Sequence, residues 1–282
     1  MPKKKSAPEL CFPRLSITNW TILGVDLSLS RTGFAVLHIE NGEARWAEVG
    51  SVAPADSEDA TWARGVAIGM QIRNQALAAV DKAAAWNVTH PDAPWGVVVA
   101  MEFPDPTNSY LMALNGIVQA VLWSSSDTSL QEIAPVYRLA INAATLRSCL
   151  HLNIKGASAD KNINLVKAYT YIDKATYPSL DTDACDAVLL AMMARWAAMV
   201  FSGQEAMVPP APLAALCTSE QRVKVRASRK KGEPPIRIET PRALLHNPAT
   251  WTALKGPVEI RLKHRDATSI IPRSSKPFTV FL

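Results

Sequence analysis

The stretch that decides the fold is ILGVDLSLSRTGFAV, residues Ile22–Val36. An apolar run ends in a single carboxylate, Asp26, and a few small polar residues separate it from a second apolar run. Apolar runs of this length, bounded by turn-forming residues, predict two strands of one sheet. A carboxylate at the end of a buried strand is costly unless other groups compensate its charge. Asp26 is therefore the first candidate functional residue.

The surrounding chain predicts a mixed α/β domain. Asn41-Gly42 suits a tight hairpin turn between the second and third strands. The β-branched run WGVVVAME is typical of a buried central strand, and it ends in Glu102. The predicted strands are 21–26, 33–39, 44–52, 95–102 and 135–140. The predicted helices are 60–86, 108–123, 158–172 and 181–201.

Charge divides the chain into three predicted units. Residues 1–20 form a flexible basic arm, residues 21–204 form the α/β domain, and residues 205–282 form a basic extension. The extension holds 14 Lys and Arg against six Asp and Glu, whereas residues 1–204 hold 16 against 19. Alternating runs in the extension predict short strands. Its positive excess favours a polyanionic partner such as nucleic acid, although charge runs are often only solvated surface.

Composition excludes several classes of protein. With 282 residues and 48% hydrophobic content, the chain has enough apolar side chains for one core of ordinary domain size. No segment has the pattern of a secretory signal or an uninterrupted membrane span, so we expect a cytoplasmic protein without a membrane partner. The four cysteines are scattered and have neither zinc-site nor disulfide spacing.

Four carboxylates lie where predicted apolar elements begin or end: Asp26, Glu102, Asp183 and Asp186. The two aspartates are three positions apart in the first turn of a helix, so they share one face. If the strands that end in Asp26 and Glu102 are neighbours, all four acids meet, and divalent cations would be needed among them. Ligands that are only oxygen favour Mg²⁺ or Mn²⁺ over zinc. Any of these acids alone is more often a cap or an ion-pair partner, and Asp181 is assigned that capping role.

The motifs GVDLSLSRTGFAV, VVVAME and TDACDAVLLAM, in this order, resemble those of RuvC-type Holliday-junction resolvases of the RNase H-like nuclease superfamily. Between them, LHLNIKGASADKNINLVKAY is similar to the family segment that carries a lysine within Ala-Asp-Lys. The resemblance covers residues 21–201. It implies a mixed five-stranded sheet flanked by helices, and the extension makes this chain a divergent member of the kind that a bacteriophage would encode.

The same resemblance implies a chemistry and a substrate. Asp26, Glu102, Asp183 and Asp186 would be catalytic ligands of two Mg²⁺ ions, which Mn²⁺ could replace. Lys161 would be catalytic and would contact DNA phosphates. Four further residues would contact DNA, namely Arg31, Phe103, Tyr110 and Lys155. The family acts as homodimers on four-way DNA junctions, and the expected location is the cytoplasm of a bacterial or phage-infected cell.

Two alternatives stay open at this point. An ATPase related to actin and sugar kinases also begins with an acidic turn rich in small residues, but no second glycine-rich phosphate loop follows residue 130. ATP hydrolysis without DNA cleavage would favour that reading. The other alternative is a DNA-binding protein that keeps the nuclease fold without catalysis, and DNA binding without cleavage would favour it.

Overall fold

The computed structural model describes residues 15–28, 30–53, 61–103, 108–123, 134–142, 146, 150, 161–217, 222–226, 236–240 and 251–253. Within these ranges, one mixed sheet and a separate two-stranded ribbon contain all the strands. The strands are β1 (Asn19–Asp26), β2 (Thr32–Glu40), β3 (Glu43–Val52), β4 (Trp95–Phe103), β5 (Val136–Asn142), β6 (Arg222–Arg226), β7 (Ile236–Thr240) and β8 (Trp251–Ala253).

The main sheet has the strand order β3-β2-β1-β4-β5-β8. Strands β1, β4 and β5 run parallel to one another, while β2 is antiparallel to both of its neighbours. These relations among the first five strands are the RNase H-like arrangement, so the predicted α/β class and five-stranded core are confirmed. The hairpin turn is confirmed too, because Asn41 and Gly42 both have positive φ, 52° and 84°.

A sixth strand corrects the predicted size of the sheet. β8 comes from the basic extension and pairs antiparallel with β5 at residues 137–139. The free edge of β5 offers unpaired backbone groups, and a three-residue segment is enough to cover part of it. β6 and β7 pair only with each other. The described part of the extension also holds a helix, Pro210–Cys217, which the sequence analysis does not predict, so a β-rich extension stays a prediction.

Among the described residues, five α-helices accompany the sheet. They are α1 (Thr61–Thr89), α2 (Ser109–Trp123), α3 (Lys161–Ala168), α4 (Thr182–Phe201) and α5 (Pro210–Cys217), and a 3₁₀ turn spans Glu205–Met207. α3 ends at Ala168, four residues before its predicted boundary. The chain turns there, and the Thr170 hydroxyl donates a hydrogen bond to the backbone carbonyl of Lys167, which competes with continuation of the helix. Residues 158–160 of that predicted helix lie outside the described residues.

α4 is the central helix of the core. It lies on one face of the sheet and packs against β1 and β2, while α1 and α2 cover the opposite face. By length and composition α4 is apolar enough to cross a membrane, but 89% of that apolar window is buried inside the protein. Burial from all sides explains its composition, because a helix that is apolar around its whole circumference needs partners on every side.

Residues on both sides of the predicted domain boundaries pack into this core. Ile17 and Trp20 are buried, although the flexible arm was predicted to reach residue 20. Ser202 joins this segment to the end of α4, since its hydroxyl accepts from Trp20 Nε1 at 3.2 Å and donates to the Ile17 carbonyl at 2.8 Å. Val208 and Leu216 are buried as well. The division at residues 20 and 204 stays a prediction, but residues 15–20 and 205–217 contribute to the core.

Candidate functional site

Strand alternation directs Asp26 and Glu102 toward the same face of the sheet. Neighbouring residues of the same parity, Ile22 on β1 and Ala100 on β4, pack in the cluster formed with α4. Since successive side chains of a strand point to opposite faces, the side chains at positions 26 and 102 point the same way. β1 and β4 are parallel neighbours, with Val25 opposite Met101. Both carboxylates therefore leave the sheet at one edge, on the side of α4.

Two glycines let the beginning of α4 come close to that edge. A Cβ added at Gly24 would lie 2.8 Å from the Ala191 backbone nitrogen, and one at Gly33 would lie 2.7 Å from that of Ala184. Such distances are shorter than side chains tolerate, so only glycine allows this contact. Gly33 is the register partner of Asp26, and the first turn of α4 therefore lies directly beside that carboxylate.

Asp181 starts α4 and so fixes where the next two aspartates project. Its Oδ1 accepts from the backbone N–H of Ala184 at 2.8 Å, which confirms the predicted capping role. Its Oδ2 accepts from the Ser51 hydroxyl at 2.5 Å and from the Arg31 guanidinium at 3.3 Å. Burial alone raises the pKa of Asp181, but these hydrogen bonds and the charge of Arg31 hold it below the ordinary value.

The four predicted acids interact electrostatically. Burial raises the pKa of Asp26 well above 3.8, and the negative charges of Asp186, Glu102 and Asp183 raise it further, in that order. A hydrogen bond between the side chains of Asp26 and Glu102 adds to the shift. Like charges this close disfavour simultaneous ionisation. The structure thus brings together the acids from all three segments, as the sequence predicted.

The donor set fits a hard divalent cation. All four groups are carboxylates, and oxygen donors are the ligands that Mg²⁺ and Mn²⁺ prefer. Cys185, between the two aspartates of α4, is buried in the core, and burial together with the nearby carboxylates raises its pKa to about 12. That thiol stays protonated at neutral pH, when it is a poor metal ligand.

The carboxylates are neighbours without forming a closed ligand shell. Among the described residues, no three His, Cys, Asp or Glu side chains stand in positions that would hold a metal ion as they are. Unneutralised carboxylates at close range repel one another or take up a proton. A shared cation would require their side chains to rotate toward one another.

Two buried asparagines support these acids, and the sequence analysis missed both. Asn164 on α3 donates from Nδ2 to Oδ1 of Asp186 at 2.6 Å. Asn115 on α2 donates to the backbone carbonyl of Glu102 at 3.2 Å. The available signals were weak: Asn164 follows Lys161 by three positions, and Asn115 interrupts an apolar helix.

The predicted DNA contacts occupy varied positions. Arg31 is 52% exposed and forms an ion pair with Asp181, and Tyr110 is 65% exposed in the first turn of α2. Phe103 is the last residue of β4, at the edge where Glu102 lies, and Lys161 is the first residue of α3. Lys155 lies outside the described residues. Contact with DNA stays a prediction for all five.

A second polar site lies at the opposite end of the sheet. A cleft of about 810 Å³ there is lined by residues of the β2–β3 hairpin and by Lys82 of α1. The His38 ring and the Thr21 hydroxyl form a hydrogen bond of 3.0 Å. The same hydroxyl accepts a hydrogen bond from Trp95 Nε1, also at 3.0 Å. Burial, Lys82 and Arg45 lower the pKa of His38 to about 4. The cleft contains none of the four predicted acids.

Comparisons with known proteins give distant structural likenesses. No protein family and no curated protein matches this sequence. Among solved structures, Thermus thermophilus RuvC in complex with a Holliday junction substrate is 17% identical, with a TM-score of 0.39. A second structure of Thermus thermophilus RuvC is also 17% identical, with a TM-score of 0.40. Both alignments cover 65% of this chain and 97% of RuvC. A likeness at this level identifies no activity.

Proposed function

We propose that this chain is a Mg²⁺-dependent endonuclease that cuts branched DNA, with the four-way junction as its preferred substrate. The observation that carries the proposal is the meeting of Asp26, Glu102, Asp183 and Asp186 at one edge of the sheet, where three of these charges raise the pKa of the fourth. Acids that lie this close raise one another's pKa, and clusters of perturbed acids mark functional sites.

Each part of the site has a task in phosphodiester hydrolysis. Asp26 and Glu102 offer oxygens from the sheet, and the α4 aspartates offer oxygens from the helix that lies over it. Asp26, Glu102, Asp183 and Asp186 would hold two divalent cations, which would supply an activated water and neutralise the charge of the departing 3′ oxygen. Gly24 and Gly33 keep α4 close to the strands beside Asp26.

The rest of the chain supports DNA binding in this proposal. The extension carries eight more positive than negative charges, which suits contact with phosphates on either side of the cut. Arg31, Lys155 and Lys161 would contact the backbone near the acids, and Phe103 and Tyr110 would stack on opened bases. A homodimer in the cytoplasm of a bacterial or phage-infected cell would place two such sites on a twofold substrate.

The first test removes single acids. Asp26→Asn and Glu102→Gln should lower cleavage of a labelled four-way junction by at least about 10²–10³-fold, since each removes a main electrostatic contribution to the transition state. Junction binding, measured by mobility shift, should be kept. The matched control is Asp81→Asn, an exposed carboxylate of α1, which should cut normally.

Flap and linear duplex DNA, each with Mg²⁺ or EDTA, complete the design. Cleavage of the junction alone supports the narrow proposal, whereas cleavage of all three substrates indicates a general nuclease. Full activity of either acid variant, or cleavage in EDTA, would contradict the site. ATP hydrolysis without any DNA cleavage would favour the kinase-like alternative instead.

A further inference from the structure

We propose that Asn164 is a positioning residue that holds Asp186 in the orientation needed to bind a divalent cation, and that it does so through the amide–carboxylate hydrogen bond between α3 and α4. The inference rests on the proposed function, since it concerns the same acidic site. Its role is distinct from that of the four acids because the amide donates to a carboxylate and does not itself supply the charge.

The contact between Asn164 and Asp186 is short and partly buried. Asn164 Nδ2 lies 2.6 Å from Oδ1 of Asp186, and only 7% of Asn164 is exposed. An ionised carboxylate has no proton to give, so the amide nitrogen and not the amide oxygen must face it. A buried amide that loses its partner costs free energy, so this hydrogen bond fixes the rotamers of both side chains.

A neutral donor suits a cation ligand better than a charged one. Lys or Arg at this position would neutralise Asp186 and compete with a divalent ion, whereas an amide leaves the negative charge in place. The amide engages Oδ1 and restricts the rotation of the Asp186 side chain. Hydrogen bonds that orient metal ligands in this way commonly change metal affinity by about 10–100-fold when they are removed.

The position of Asn164 also joins two parts of the proposed machinery. α3 begins at Lys161, three positions before Asn164 in the sequence. α3 packs on α4, which carries Asp183 and Asp186. The hydrogen bond from Asn164 to Asp186 therefore connects two helices of the proposed site. α3 begins at Lys161, a candidate phosphate-binding residue, and α4 carries the two candidate metal ligands.

The test measures Mn²⁺ binding to the full-length protein without DNA, by isothermal titration calorimetry. Asn164→Ala should weaken the Mn²⁺ affinity by about 10–100-fold, and Asn164→Ser, which keeps a shorter donor, should give an intermediate value. Asp26→Asn should abolish the same binding heat and so assign it to this site.

The matched control is Asn87→Ala. Asn87 bonds to the backbone of Trp95 at 2.9 and 2.6 Å, near the opposite end of the sheet, so its loss should lower the Tm without changing the Mn²⁺ affinity. Wild-type affinity in Asn164→Ala, with a Tm lowered as in the control, would overturn the inference and leave a structural role. Wild-type protein that binds no Mn²⁺ would also overturn it.

The outcomes for this inference and for the proposed function are separable. If Mn²⁺ binding depends on both Asp26 and Asn164 but the protein cuts no DNA, the nuclease proposal fails and the positioning role stands. If it cuts junctions and Asn164→Ala binds Mn²⁺ normally, the nuclease proposal stands and the positioning role fails.

Discussion

Near each end of β1, a titratable side chain lies among charges of its own sign, and the two side chains are compensated in different ways. At the hairpin end, His38 lies near Lys82 and Arg45, and burial beside these cations keeps it neutral, with a pKa of about 4. At the other end, Asp26 lies near three further carboxylates, and burial beside them raises its pKa. In each place, a group surrounded by charges of its own sign is driven toward its uncharged form.

The difference lies in what compensates the buried group. The neutral ring of His38 has the Thr21 hydroxyl as a partner, and that hydroxyl is bonded to Trp95 in turn, so the hairpin end is satisfied by hydrogen bonds within the protein. The carboxylate end keeps four acids together, and protons or cations that enter there lower the repulsion among them. Burial at the hairpin end is thus offset by hydrogen bonds within the protein, whereas the acids at the other end still raise the pKa of Asp26.

Glycine substitutions should give the largest difference between the two ends. Gly33→Ala forces a methyl group into the backbone of α4 and should destabilise the fold by about 3 kcal/mol, the upper part of the usual range for overpacking. Gly42→Ala meets no atoms and only strains a positive φ, so we expect a cost of about 1–2 kcal/mol. Urea unfolding measures both changes.

Gly116→Ala supplies the control for these substitutions. Gly116 is exposed on α2 with open space around its Cα, and alanine there should stabilise the helix by about 0.5–1 kcal/mol. If Gly33→Ala behaved like Gly116→Ala, the close approach of α4 to the sheet would be wrong.

The stability of the metal-free protein should fall as the pH rises. Because the pKa of Asp26 is higher in the folded than in the unfolded protein, the folded state binds the extra proton, and this contribution is lost as the pH rises through the folded pKa. Asp26→Asn removes this pH-dependent loss of stability. The substitution should raise the free energy of unfolding of the metal-free protein at pH 8 by about 1–3 kcal/mol. Thermal unfolding from pH 4 to 8, with EDTA or Mg²⁺, measures it.

Mg²⁺ should flatten the same pH profile in the wild-type protein, because a cation bound only by the folded state adds stability. If the wild-type protein and the Asp26→Asn variant showed the same dependence of stability on pH, the neighbouring acids would not raise the pKa of Asp26. Unchanged stability on adding Mg²⁺ would argue against a cation at this edge.

The hairpin end should show a smaller and opposite pH dependence. The unfolded chain protonates His38 near pH 6.5 and the folded chain only near pH 4, so stability is lost as the pH falls through this window. Since His38 is partly exposed, solvent screening limits the loss to about 1–2 kcal/mol. His38→Gln should reduce the acid loss between pH 6.5 and 4, measured by urea unfolding, and an identical loss in both proteins would refute the assignment.

The sequence predicted the parts of this molecule that depend on periodic patterns. The apolar run before Asp26, the β-branched run before Glu102 and the Asn41-Gly42 turn each specify a local conformation, and the carboxylates follow from where those elements end. Asp181 was identifiable as a cap from its position alone. These features need no knowledge of distant parts of the chain.

Other features depend on tertiary contacts and could not be predicted. β8 is a strand because the edge of β5 is open to it, not because three residues have a strand pattern. Asn164 is a polar residue in a helix until α4 packs beside it and supplies Asp186 as a partner. Ile17 belongs to the core because Ser202, far along the chain, binds its carbonyl.

Under the proposed function, the anchoring of α4 at Ser202 bears on the footprint of the protein on DNA. A helix of 20 residues is about 30 Å long, so Ser202 lies about 30 Å from the aspartates at the other end. That length corresponds to about nine base pairs of duplex at 3.4 Å per step. A phosphate held near Ser202 and the phosphate that is cut would then lie almost one full turn of the double helix apart.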